Sequence, residues 1–97
     1  MLLADPSRLA SAEYQAFAVL TMCRAWYALE RGAVVSKPAA ARWALGRAGG
    51  RWDSLVDAAT AWQPGGELDR LDEVLTMIGF AVRLSEEVYG SPSDRHP

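Results

Sequence analysis

The chain has one cysteine, one histidine and one lysine in 97 residues, and each scarcity removes a class of function. A lone Cys23 permits no internal disulfide framework and no thiolate metal cluster. The single histidine, His96, sits in a polar, Pro-containing tail, which excludes a His-based triad or acid/base pair held on a rigid element. No arginine is followed by a histidine at four-to-six-residue spacing within a helical segment, which argues against a helical toxin-type RNase. Neither a P-loop nor a Gly-rich phosphate cradle after a strand is present. Ten basic residues against twelve acidic ones give a net charge of -2, so no polybasic surface is available to neutralise a run of phosphates and nucleic acid is not an expected partner. The opening MLLADPSRLA has no basic segment leading into an apolar core, so no signal peptide is expected. The longest apolar stretch, Ala16 to Leu29, is interrupted by Arg24 and is too short to span a bilayer. The expectation is a soluble, reduced, cytoplasmic protein with no membrane partner.

What is present points to a small helical core. Apolar residues make up 51% of the chain, with four Trp and three Tyr, which argues against disorder. Length predicts one domain. Asp5 and Pro6 can open a first helix that runs to Arg31 and stops at Gly32, a residue suited to the left-handed conformation after a helix end. Ser36 is a good N-cap for a second helix, with Pro38 in its first turn and AAARWALGR following, until Gly49 and Gly50 break it. In a third helix, RWDSLVDAATAW, the residues Trp52, Leu55, Val56, Ala59 and Trp62 share one face. Gln63 to Gly66 forms a turn. The fourth helix is the most regular: Leu68, Leu71, Leu75, Ile78, Val82 and Tyr89 follow three- and four-residue steps, Ser85 filling the remaining slot. A second stripe of Val74, Met77, Ala81, Leu84 and Val88 widens its buried face. The fold class expected is all-α, a bundle of four helices over residues 1–89, with a disordered tail over 90–97.

Few residues carry chemistry. Asp69, Asp72 and Glu73 read as an acidic helix start that complements the dipole rather than as a metal site. Trp26, Trp43 and Trp52 read as core and interhelix packing, and Cys23 as a small buried hydrophobe. Arg42, Arg47 and Arg51 form a basic edge, a solvated face or a surface on which another domain docks. Arg24 is the sole charge within AFAVLTMCRAWYAL. An arginine so placed snorkels, forms an internal salt bridge or meets an anion. Nine of the ten basic residues are arginine, so Lys37 stands out. It follows Ser36 at a helix N-terminus, where the dipole already favours an anion, and a lysine there needs a local reason.

These residues carry a resemblance. The run Leu20-Thr21-Met22-Cys23-Arg24-Ala25-Trp26-Tyr27, then Gly32, Val35-Ser36-Lys37-Pro38 and Ala41-Arg42-Trp43-Ala44-Leu45, resembles the helical C-terminal domain of the aminoglycoside nucleotidyltransferases. The nearest type is the 3''-adenylyltransferase that modifies streptomycin and spectinomycin. The match covers roughly residues 16 to 89 and is specific between Val19 and Leu45. The resemblance implies that Arg24 and Lys37, 13 positions apart, reach ATP across an interdomain cleft, and that Trp62 lines the nucleotide site. It implies Glu13, the one acid between Ala10 and Gln15, as a contact to the cationic drug. It also implies ATP and Mg²⁺ as cofactors, neither held tightly by this chain alone. The family's Gly-Ser loop, paired aspartates and carboxylate base belong to a separate nucleotidyltransferase catalytic domain, and none of them occurs here. No catalytic and no metal-ligating residue is therefore expected in this chain, which by itself should be inactive. The alternative is a non-catalytic helical interaction or regulatory module, self-associating through an exposed apolar patch.

Overall fold

The computed structural model describes residues 11–89, and among these the architecture is all-α. Helix α1 spans Ala12–Arg31, α2 Lys37–Ala44, α3 Asp53–Ala61 and α4 Leu71–Tyr89. None is long and apolar enough to cross a membrane. Ser11 is extended and caps α1, its hydroxyl accepting from the Tyr14 N–H at 3.2 Å. Asp5 and Pro6, like the tail over 90–97 with His96, lie outside the described residues. At the other end Gly32 adopts φ 70° and its N–H closes on the Ala28 carbonyl at 2.9 Å. A side chain there would be strained, so the glycine fixes where α1 stops.

Helix α1 is the spine, and α2, α3 and α4 each pack against it. Its inward face carries Gln15, Ala16, Ala18, Val19, Cys23 and Trp26, all buried. Trp26 joins three elements. Its ring meets Trp43 of α2 and Phe80 of α4 edge-on, both at 5.1 Å between centroids. Tyr27 extends the chain of rings to Trp43 at 5.2 Å, and Trp52 extends it to Phe80 at 5.5 Å. The Trp26 indole N–H donates to Glu30 at 3.2 Å. The expected packing role of Trp26, Trp43 and Trp52 is thus what the structure shows.

Two boundaries differ from the sequence expectation. Helix α2 stops at Ala44 rather than running on through Arg47, because Leu45 is extended and Gly46 turns left-handed at φ 80°. The Gly46 N–H is held by the Asp53 carboxylate at 2.8 Å, which folds the short 3-10 turn Arg47–Gly50 back onto the start of α3. Leu68 is buried but precedes α4. The helix begins where Gln15, a buried polar side chain, accepts from the Arg70 N–H at 2.8 Å, supplying one of the partners that a helix N-terminus lacks. Arg70 also pairs with Glu73 through two contacts of 2.6 and 2.7 Å and donates to the Ser54 carbonyl of α3.

The largest departure is the orientation of α4. Its buried residues are Val74, Met77 and Ala81, the second of the two stripes. Part of the more regular stripe faces outward, with Leu75 45% exposed, Val82 52% and Tyr89 60%, while Leu71 and Ile78 stay packed against the core. Since Gln15 and Arg70 lie together, Trp26 meets Phe80, and Leu29 meets Ser85, α1 and α4 run in the same direction.

Two outcomes follow from this core. Trp26→Ala removes the ring that joins α1, α2 and α4 and should cost about 3–5 kcal/mol, read as a lowered urea midpoint. Burial pushes the Cys23 thiol from 9.0 up to about 11. The unfolded chain therefore releases this proton first, and the stability associated with the protonated thiol is complete below pH 9 and lost as pH rises toward 11. Unfolding midpoints measured across that range should fall more steeply for the native chain than for Cys23→Ala.

Candidate functional site

The junction between α1 and α2 gathers the two cations singled out in the sequence. Phe17 and Arg24 are seven residues apart on α1, so they project within about 20° of one another. The Arg24 Nε donates to the Val35 carbonyl at 3.0 Å, which pins the extended link to α1 just before α2 begins. Lys37 is the first residue of α2, and its ammonium lies 4.3 Å from the centroid of the Phe17 ring. Ser36 caps the helix as expected, accepting from the Ala39 N–H at 3.3 Å.

Among the described residues neither cation is paired with a carboxylate. Arg24 takes a fourth course beside the three open to it from sequence: it is half-buried and bound to a backbone carbonyl, with no bond from its terminal nitrogens to any described residue. Lys37 rests on a ring, an interaction worth about 0.5–1 kcal/mol at an exposed site. Between Phe17 and Arg24 on the same side of α1, the buried Thr21 hydroxyl has no hydrogen-bond partner. A fixed guanidinium and a movable ammonium beside a helix N-terminus suit a polyanion.

Glu13 stands on the rim of a shallow depression of about 440 Å³ at the start of α1, lined by Ser11, Glu13, Tyr14 and Phe17. Phe17 therefore belongs both to this depression and to the perch of Lys37, and Tyr14 braces it edge-on at 5.9 Å. The structure does not bring Trp62 into contact with either cation. Trp62 follows α3, half-buried, and its indole N–H donates to the Gly66 carbonyl at 3.1 Å across the turn. Phe17 was not apparent as a site residue in the sequence. The available signal was its position, seven residues before Arg24 on the polar side of an amphipathic helix.

Comparison with known proteins identifies a family. Residues 6–86 match the family described as aminoglycoside adenylyltransferase, C-terminal domain. The chain belongs to this family. No curated protein and no solved structure matches it. The matched span holds Glu13, Arg24, Lys37 and Trp62 of this adenylyltransferase-type domain.

Several of the domain's other charged groups have internal occupations. Hydrogen bonding to Arg70 holds the Glu73 carboxyl below its usual range, so one of the three acids at the start of α4 is tied up by its own arginine. Two arginines of the basic edge are flattened onto indoles: the Arg47 guanidinium lies 4.2 Å from the Trp43 ring and donates to the Trp43 carbonyl, and that of Arg51 lies 4.5 Å from Trp52. No group of three or more His, Cys, Asp or Glu among the described residues is placed to hold a metal ion.

The two cations should separate in their structural cost. Arg24→Ala removes a charge-assisted hydrogen bond and leaves the Val35 carbonyl without it, a loss of about 1.5–3 kcal/mol. Lys37→Ala loses only a contact to an exposed ring, at most about 1 kcal/mol. Urea unfolding of the two variants measures the difference.

Proposed function

We propose that this domain supplies cationic contacts to ATP during transfer of AMP to an aminoglycoside hydroxyl, working with a nucleotidyltransferase catalytic domain. The observation that carries the reading is the pair Arg24 and Lys37 at one helix junction, with no carboxylate on either among the described residues. Attack of a drug hydroxyl on the α-phosphorus forms a new P–O bond while the bond to pyrophosphate breaks, and negative charge grows on the departing group. Cations already in place stabilise that charge without reorganising at the moment of reaction. Arg24, braced by Val35, provides a fixed point. Lys37 can swing from Phe17 to a phosphate oxygen, exchanging a weak ring contact for a full ion pair.

Mg²⁺ would supply further charge neutralisation on the phosphates, and its ligands fall to the catalytic domain. Trp62 offers a half-buried ring to the nucleotide, its N–H being already committed to Gly66. Glu13, on an exposed rim, offers a carboxylate to a cationic substrate. A cytoplasmic setting, where ATP is abundant, fits the reading.

The test is reconstitution. The isolated chain with ATP, Mg²⁺ and streptomycin should give no adenylylated product. Supplied with a catalytic domain of the same family it should restore transfer, and Arg24→Ala or Lys37→Ala should then lower the rate at least about tenfold, equivalent to about 1.4 kcal/mol. Variants that leave reconstituted transfer intact would remove both residues from the site. Glu13→Gln should raise KM for streptomycin with little change in kcat, the behaviour of a contact equally strong in ground and transition states.

A further inference from the structure

One ring on α1 serves two places. Phe17 lines the depression with Ser11, Glu13 and Tyr14, and the same ring carries the Lys37 ammonium at 4.3 Å from its centroid. The ring is 46% exposed, so a ligand can reach it. Tyr14 meets it edge-on at an interplanar angle of 71°, which limits how far it can turn aside. The lining of the depression suits a cation. Two aromatic rings attract positive charge through their faces, and the Glu13 carboxylate stands one helical turn before Phe17 on the same side of α1.

The Phe17 ring does not hold two cations at once. A ligand cation on the face that Lys37 occupies displaces the ammonium outright. On the opposite face, the two positive charges repel through the ring itself, where no water screens them. Lys37 loses its seat in either case. Among the described residues it has no ion pair with a carboxylate to keep it there.

We propose that Phe17 is a latch on Lys37, opened by an organic cation, an ammonium or guanidinium group, seated against Glu13 and Phe17. The latch rests on the reading of Arg24 and Lys37 as phosphate contacts. In the empty site the ring competes with a phosphate for the ammonium, so it lowers affinity for the anion by the strength of its own contact. A cation in the depression removes that competition, and affinity for the anion rises by the same factor. By reciprocity, a phosphate that draws Lys37 away clears the ring for the cation. Phe17 is therefore a positioning residue that acts through Lys37 and ties occupancy of one place to readiness of the other.

Lys37 is the only lysine of the chain, so its side-chain methylenes are a single nuclear magnetic resonance reporter in the lysine-labelled full chain. The face of Phe17 shifts them upfield, and Phe17→Leu should return them to the position of free lysine. Streptomycin added alone to the native chain should move them the same way. Saturating streptomycin that leaves them in place overturns the proposal. The second arm is ATP affinity. Phe17→Leu should bind ATP about two- to fivefold more tightly than the native chain, the strength of an exposed ring contact, whereas a merely structural role gives no gain. Streptomycin should tighten ATP by a similar factor in the native chain and not in Phe17→Leu; direct association of the two ligands is equal in both. Phe17→Tyr keeps a ring and should restore the native behaviour. Where ATP affinity depends on Lys37, a Phe17→Leu variant that binds no more tightly overturns the latch. The phosphate reading fails separately, if Lys37→Ala binds ATP as tightly as the native chain, and the streptomycin arm then still decides whether the ring is shared.

Discussion

Edge-to-face contact of one indole with two other rings ties three of the four described helices together. Trp26 projects from the middle of α1 and is met from one side by Trp43 of α2 and from the other by Phe80 of α4. Each such contact contributes about 0.5–1.5 kcal/mol beyond area burial and fixes an approach direction as well. With Trp26 in place, Tyr27 is set against Trp43, and Trp52 reaches the same cluster through Phe80. The indole N–H of Trp26 is satisfied by Glu30, whereas those of Trp43 and Trp52 are buried without partners. Shape and aromatic packing at α2 and α3 therefore outweigh two unsatisfied polar groups, each a penalty of about 1–3 kcal/mol.

The cation pair depends on that packing. Trp43 fixes the face on which α2 lies against α1, which sets the path of Ala33 to Val35. Arg24 then finds the Val35 carbonyl and Lys37 finds Phe17. Positive charge is usually held in a fold by pairing it with a carboxylate. Here a carbonyl dipole and a ring quadrupole perform the holding, and neither cancels the charge. The junction is thus ordered while neither cation meets a carboxylate among the described residues.

Local rules made much of the fold legible in the sequence. Gly32 as a stop, Ser36 as a cap and the buried face of Trp52, Leu55, Val56 and Ala59 all follow from single-helix chemistry, and the structure agrees at each. The resemblance around Arg24 and Lys37 led to the family. The orientation of α4 was not legible, because its two apolar stripes share one period and differ by a rotation that no local rule decides. Only the shape of α1, with Gln15 and Trp26 as fixed points, selects the Val74, Met77 and Ala81 stripe. Phe17 was hidden for another reason: an aromatic residue on the exposed side of a helix has no periodic signature, and its partner lies across a turn. The early end of α2 depended on Asp53, nine residues beyond Ala44.

The arrangement of three helices around one has a kinetic consequence. Helices α2 and α3 follow α1 closely in the chain and contact both it and one another, so their docking closes only short loops. Helix α4 must instead return to the start of α1, joining Arg70 to Gln15 across 55 positions, and loop closure over such a span carries the larger entropy cost. The chain thus divides into a locally assembled three-helix unit and a late-docking arm. The groove between α1 and α4 belongs half to each, and exists only once the arm has arrived.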